Sequence, residues 1–530
     1  MRTNSASLRR WTVVLATLPF ALGLGGCPTS GLDGGGLGVA PGGVQDMALA
    51  RVQIESGVVP SPNTITVEGF LREHDIPLPA PDGAPEIFAS VAAAWRHPFD
   101  EAAPMGDLYV GLGTTRDLDS FTRPPLNLVI VVDRSQSMLE APDDPYPYYY
   151  SRQYYFRPLA RLVASRTPPP EPDYPTKLTW ARNAVNRIID QLNDGDLVTV
   201  ISFNADPQIV VPTTVPTNKD SIKEKVSNIR AQGNTDLYAG LKRAFEEAAR
   251  RHTDARSDRV ILFTDALPTE GLQTSGDFIP LVEQYAAQDV GLTLMGLGQN
   301  FGTDLGLAIS ALRGGNSFFI DSETRLNDVT GDEFKFYVTP AAYDLSIQVV
   351  HESGLAIRDV FGVADYVGAS NGALIRVPTL FFSRREGGGA IVIRFSTAQT
   401  PDFSVDQTVG TLSLRYTLPD GSQPSQDVAL TIPAGTSPTG EPPYFSNPSA
   451  ERASVLLDTA LVLQSAARLS SGTGRYSGGG EAAATLLTDF LEYFDAATLG
   501  MADKIDDDTR SLSDERDLLQ RFLSLVGSAY

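Results

Sequence analysis

Between residues 126 and 320, continuous apolar runs alternate with segments in which apolar residues recur every three or four positions. A continuous apolar run is typical of a strand buried on both faces of a parallel sheet, and the longer period is typical of a helix packed on such a sheet. The strands predicted in this way are 126–132, 197–203, a short edge strand 208–213, 259–265, 291–298 and 317–320. The helices predicted between them are 177–193, 236–251, 277–288 and 303–312. This alternation predicts an α/β fold, a doubly wound parallel sheet of the Rossmann-like kind.

The pattern changes after residue 337, where strand-like segments follow one another without helices between them. LPDGS lies between two of these segments and is typical of a hairpin turn. We therefore predict an all-β sandwich over residues 335–435. Residues 448–530 form a predicted helical C-terminal segment, with helices near 451–469, 481–499 and 513–526.

Residues 44–122, which precede the parallel sheet, have a mixed pattern. Short strand-like pieces occur at 64–67 and 107–114, and Pro85 opens a stretch that predicts a helix to Trp95. We treat residues 44–122 as an N-terminal segment associated with the α/β domain that follows it.

The first 26 residues begin with arginines and continue into an apolar stretch that is short for a membrane span, as in a secretory signal peptide. They end in LGG, and Cys27 follows. The tetrapeptide LGGC resembles the lipobox of bacterial lipoproteins, where the thiol (here that of Cys27) is acylated. The alternative is an ordinary signal peptide followed by an incidental cysteine. Pro28 follows the cysteine, which favours the outer membrane over the inner one. Residues 27–43 are rich in glycine and predict a flexible tether.

The chain has 530 residues and a formal net charge of −22. This charge repels nucleic acid phosphates and anionic lipid surfaces, and it suits divalent cations or basic partners. With Cys27 as its one cysteine, the chain forms no internal disulfide, so packing must stabilise it.

The polar residues that could carry chemistry follow the predicted strands. Ligands of open α/β sheets bind beyond the carboxyl ends of the strands, and the segments DRSQS, GNTDL and FTDA can all reach that edge. Together they offer two carboxylates and three hydroxyls, from Asp133, Ser135, Ser137, Thr235 and Asp265. Hard oxygen ligands favour Mg²⁺ or Mn²⁺, with Ca²⁺ as an alternative, and they disfavour zinc and copper.

These three motifs, in this order, resemble the metal-ion-dependent adhesion site of von Willebrand factor type A (VWA) domains, which implies such a domain over residues 123–325. The resemblance implies that the two serines and Thr235 are direct or near-direct ligands and that the two aspartates bind largely through water. It also implies that an acidic residue of a partner protein completes the coordination. The flanking segments resemble, more loosely, those of bacterial lipoproteins with a VWA domain. Two positions depart from the family pattern, because Gln136 and Ala266 stand where glycine is usual.

A long insertion, residues 139–176, separates the first motif from the next predicted helix. It is rich in tyrosine and arginine, which are effective recognition residues on loops. The candidate partner-binding rim comprises Gln136, Tyr148, Tyr149, Tyr150, Arg152, Tyr154 and Tyr155. Alternatively, the aromatic residues of the insertion pack against a neighbouring part of the protein.

The sequence predicts a lipid-anchored cell-envelope protein that binds a protein partner through a divalent cation, and not an enzyme. The first alternative is a structural envelope scaffold with a degenerate metal site. The second is a metal-dependent hydrolase, for which we find no histidine positioned as a general base. GLGQNFG lacks the spacing of a dinucleotide loop, so nucleotide binding is not expected.

Overall fold

The computed structural model describes residues 36–41, 47–99, 101–117, 120–142, 171–299, 301–363, 366–383, 390–397, 404–434, 442–471, 479–505 and 510–527. Cys27 lies outside the described residues, as do all the rim candidates except Gln136.

The strands, in chain order, are β1 Gly36–Pro41, β2 Ile87–Arg96, β3 Met105–Asp117, β4 Leu126–Asp133, β5 Leu197–Phe203, β6 Gln208–Thr214, β7 Ser257–Thr264, β8 Val290–Leu297, β9 Gly315–Ile320, β10 Pro340–His351, β11 Leu355–Phe361, β12 Tyr366–Ala369, β13 Gly372–Ser383, β14 Ile391–Thr397, β15 Gln407–Thr417, β16 Ser425–Ile432 and β17 Tyr444–Phe445. The α-helices are α1 Ala48–Glu55, α2 Val67–Arg72, α3 Lys177–Asp190, α4 Lys219–Ser227, α5 Leu237–Arg250, α6 Ser275–Ala286, α7 Thr303–Ser310, α8 Glu323–Thr330, α9 Phe334–Tyr337, α10 Pro448–Ser471, α11 Gly479–Ala497 and α12 Leu512–Gly527.

One sheet has the strand order β6-β5-β4-β7-β8-β9. Its strands are parallel except β6, which pairs antiparallel at one edge. Strand β4 lies in the middle, and all eight of its residues are buried because helices cover both faces of the sheet. The α/β prediction is confirmed, including all six predicted strands and the four helices between them. Helix α4 was not predicted, because only two of its residues, Ile222 and Val226, are buried.

The second sheet is antiparallel and follows the path β11-β14-β3-β1-β13-β10-β15-β16, with β2, β12 and β17 paired beside it. Apolar residues from both ends of this path share one hydrophobic core. The prediction of an all-β module after the parallel sheet is confirmed, and LPDGS joins β15 to β16 as predicted. The module also contains β1, β2 and β3, which precede the parallel sheet in the chain, so residues 44–122 do not stand apart from it.

Three local predictions are wrong in this part of the chain. The stretch predicted as a helix from Pro85 to Trp95 contains strand β2, which pairs with β3 along its whole length. The strand predicted at 64–67 is instead a 3₁₀ turn, Pro62–Thr64, followed by the start of α2. The last part of the predicted tether forms β1, which pairs with β13 and β3. In each case long-range pairing or packing overrides the local preference.

The C-terminal helices α10, α11 and α12, which confirm the helical prediction, pack with α1 and α2 on one face of the antiparallel sheet. An ion network lies beneath α10. The guanidinium of Arg96 contacts Asp107 at 3.0 Å and Asp458 at 2.6 Å, and all three side chains are about 3% exposed.

Among the described residues, no helix combines the length and apolarity needed to cross a bilayer.

Candidate metal-binding site

Adjacent parallel strands bring the first and last predicted motifs together. Asp133 is the last residue of β4, and Asp265 directly follows β7, the neighbouring strand. The two strands are in register, with Val132 opposite Phe263. The two carboxylates therefore leave the same edge of the sheet side by side, as the sequence predicted.

The DRSQS turn is held by its own hydrogen bonds. The Asp133 carboxylate accepts from the Ser135 backbone N–H at 2.8 Å and from the Thr264 hydroxyl at 2.7 Å. This bonding leads the chain into the short 3₁₀ helix Gln136–Leu139, which places the Ser135 and Ser137 hydroxyl oxygens 3.1 Å apart. The first motif thus presents two hydroxyls next to a buried carboxylate.

The loop that carries Thr235 is tied to the DRSQS turn. The Gln136 N–H donates to the Gly233 carbonyl at 3.0 Å, and the Gln232 N–H donates to the Arg134 carbonyl at 2.8 Å. Thr235 itself is buried, and its N–H donates to the Thr269 hydroxyl at 2.9 Å. The chain then enters α5, capped by the residue after Thr235. The structure therefore brings the loops bearing all five predicted ligands to one edge of the sheet.

The electrostatics of this edge favour a cation. Asp133 and Asp265 are both fully buried. Burial, together with the charge of Asp265, raises the pKa of Asp133 to about 7. One oxygen of Asp265, Oδ1, has no hydrogen-bond partner among the described residues. A buried carboxylate oxygen without a donor is unfavourable unless a ligand satisfies it.

Sequence reasoning missed one charged residue of the site, Lys177. It is the first residue of α3, it is fully buried, and its Nζ lies 2.8 Å from Glu140 Oε2 and 3.2 Å from Asp265 Oδ2. Burial lowers the pKa of Lys177, but the charges of Asp265 and Glu140 outweigh burial, so the net pKa is raised. One signal could have revealed it, because Lys177 precedes Ala181 by four positions and so lies on the apolar face of α3.

The residues present fit a small, hard cation. Among the described residues there is no group of three or more His, Cys, Asp or Glu side chains suited to a metal. An ion bound here would therefore depend on the serine and threonine hydroxyls as well as the two carboxylates. Hydroxyl and carboxylate oxygens are ligands that Mg²⁺, Mn²⁺ and Ca²⁺ accept.

The two departures from the family pattern have different structural consequences. Ala266 adopts a left-handed backbone conformation, with a φ of 52°. Glycine is usual at such a position because it has no Cβ. The N–H of Ala266 donates to the Thr264 hydroxyl. The alanine is accommodated without disrupting that turn. Gln136 continues the turn, as the glycine that is usual at this position would. Its side-chain Nε2 is buried without an acceptor among the described residues.

Comparison with known proteins supports the domain assignment. Residues 128–267 match the family model of the von Willebrand factor type A domain, so this part of the chain is a VWA domain. The chain is 22% identical over 309 residues to the uncharacterized protein YfbK of Escherichia coli (strain K12), covering 57% of this chain and 47% of that protein. It is 25% identical over 227 residues to the uncharacterized protein sll0103 of Synechocystis sp., covering 42% and 44%. The chain thus spans less than half the length of these curated relatives.

Among solved structures, the chain is similar to a von Willebrand factor type A protein from Catenulispora acidiphila, with a TM-score of 0.44 and 13% identity. The alignment covers 83% of this chain and 96% of that one.

Proposed function

We propose that this chain is a lipid-anchored cell-envelope protein that binds an acidic group of a protein partner through a divalent cation held at the carboxyl edge of its VWA domain. The observation that carries the proposal is Oδ1 of Asp265, which is buried without a hydrogen-bond partner among the described residues and lies beside a second buried carboxylate, Asp133. Two buried carboxylates at one sheet edge repel each other, and a divalent cation removes that repulsion.

Each protein group has a distinct part in this proposal. The hydroxyls of Ser135, Ser137 and Thr235 hold the ion, and the two aspartates balance its charge. When bound, the ion supplies a positive centre that can accept a carboxylate from outside the protein. Gln136 lies between the two serines in the same turn, and we therefore assign it to the rim of the site.

The insertion follows the Gln136–Leu139 turn in the sequence, and we assign its tyrosine and arginine residues, Tyr148, Tyr149, Tyr150, Arg152, Tyr154 and Tyr155, to partner recognition. Cys27 provides the lipid anchor, and its position after LGG supports that assignment. Replacing Cys27 with serine is the direct check of anchoring, because metabolic labelling with palmitate should then be lost. Continued labelling of Cys27→Ser would refute an anchor at this residue.

The metal site is tested by calorimetric titration of Mg²⁺ and of Mn²⁺ into the full chain after treatment with EDTA. We expect saturable binding in the wild type and its loss in Ser135→Ala/Ser137→Ala. Thr485→Ala/Thr488→Ala is the control, because it removes two hydroxyls from the exposed face of α11, where they bond only their own helix. Absence of binding to the wild type would refute the adhesion site and favour a structural scaffold.

A further inference from the structure

The two oxygens of the Asp265 carboxylate have different surroundings. Oδ2 receives the Lys177 ammonium at 3.2 Å, whereas Oδ1 is buried without a partner among the described residues. Only Oδ1 is therefore available to an ion or to its bound water. One oxygen of the carboxylate is therefore paired with Lys177, and the other remains for the proposed ion.

The position of Lys177 is firmly fixed. A Cβ placed on Gly298 would lie 2.4 Å from Lys177 Cε, so the lysine stem fills the space beside that glycine. Its Nζ also donates to Glu140 Oε2 at 2.8 Å, and the Lys177 N–H donates to the Glu140 carbonyl at 3.0 Å. Because stem and ammonium are both held, Lys177 cannot leave Asp265 without breaking several contacts.

We infer that Lys177 is a specificity-determining residue of this site, which restricts Asp265 to a single oxygen and thereby favours Mg²⁺ over Ca²⁺. This inference rests on the proposed function. Mg²⁺ keeps near-octahedral coordination with several waters and one or two carboxylate contacts, whereas Ca²⁺ takes six to eight oxygens and often binds both oxygens of a carboxylate. A lysine that occupies one oxygen therefore withholds from Ca²⁺ a contact that Mg²⁺ does not need.

Charge alone could also change metal affinity, so the variant must keep the local charge constant. Lys177 and Glu140 form a pair of opposite charge, and replacing both leaves the local net charge unchanged. The variant Glu140→Gln/Lys177→Met therefore frees Asp265 Oδ2 while removing one positive and one negative charge. Glu140→Gln alone is the matched control, because Lys177 still contacts Asp265 there.

The experiment is calorimetric titration of Mg²⁺ alone and of Ca²⁺ alone into the full chain and both variants. Replacing residues next to metal ligands commonly changes affinity by about tenfold or more. We expect the ratio of the Ca²⁺ Kd to the Mg²⁺ Kd to fall by about tenfold in the double variant, and to stay near the wild-type ratio in Glu140→Gln.

An equal change in both affinities would overturn the inference, because it would show that Lys177 acts only through its charge. If the wild type binds neither metal, the proposed function itself fails, which is a different outcome from an unchanged ratio. Thermal unfolding of each variant checks that it folds. Lys177→Met alone is the second variant, and there too the ratio should fall.

Discussion

Replacing Asp133 with asparagine should stabilise the metal-free protein at high pH, although it removes a residue of the site. Raising the pKa of this carboxyl from 3.8 to about 7 corresponds to about 4 kcal/mol of destabilisation once Asp133 is ionised in the fold. Asparagine carries no charge, and its oxygen can still accept from the Ser135 N–H. The hydrogen bond from Thr264 is weakened, which costs about 1 kcal/mol. The expected net gain at pH 8 is about 3 kcal/mol.

The pH dependence of stability follows from the raised pKa of Asp133. The folded state holds the Asp133 proton more tightly than the unfolded state does, so the contribution of this group to the free energy of unfolding falls as the pH rises from about 4 to about 7. In Asp133→Asn this fall should be absent. With added Mg²⁺ at pH 8 the wild type should become more stable than Asp133→Asn, because the bound ion stabilises only the wild type.

The assay is urea denaturation in EDTA at pH 5 and pH 8, followed by circular dichroism and tryptophan fluorescence. Asp194→Asn is the control, because Asp194 is exposed and its loss should leave the free energy of unfolding unchanged. The reasoning is refuted if Asp133→Asn is no more stable than the wild type at pH 8 in EDTA. The reasoning is also refuted if the free energy of unfolding changes by the same amount between pH 5 and pH 8 in both proteins.

Two further predictions concern other parts of the molecule. Arg96→Met should lower the free energy of unfolding by about 3–5 kcal/mol in urea denaturation, because it leaves two buried aspartates, Asp107 and Asp458, with the single guanidinium of Arg394 between them. Arg116→Met is the control, because it removes an exposed ion pair and should lower the free energy of unfolding by less than about 1 kcal/mol. Equal losses in Arg96→Met and Arg116→Met would contradict the claim that burial makes the Arg96 pairs important. Ala266→Gly should change stability by less than about 1 kcal/mol, since relief of the left-handed backbone offsets the loss of a buried methyl. Metal titration of Ala266→Gly should match the wild type, and a large gain in affinity would mean that alanine impairs the site.

The metal-site prediction came mostly from local information. Asp133 and Asp265 each follow a continuous apolar run, and parallel strands in one sheet end at the same edge. Two such carboxylates therefore lie at the same edge of the sheet, and the pairing of β4 with β7 makes them neighbours. Thr235 was harder to place, and the hydrogen bonds between its loop and the DRSQS turn are what bring it there.

The sequence by itself determined the parallel sheet, the C-terminal helices and the oxygen-rich motifs, because hydrophobic period and strand ends are properties of neighbouring residues. Only the tertiary structure decided that β1, β2 and β3 join a sheet whose remaining strands lie more than two hundred residues further along the chain. The apolar, alanine-rich segment of β2 is compatible with either helix or strand, and its partners settle the choice. Lys177 likewise became part of the site only through folding, because its partners Glu140 and Asp265 lie 37 and 88 positions away. A buried charge is located by the partners that compensate it, and those partners are set by the packing of the whole chain.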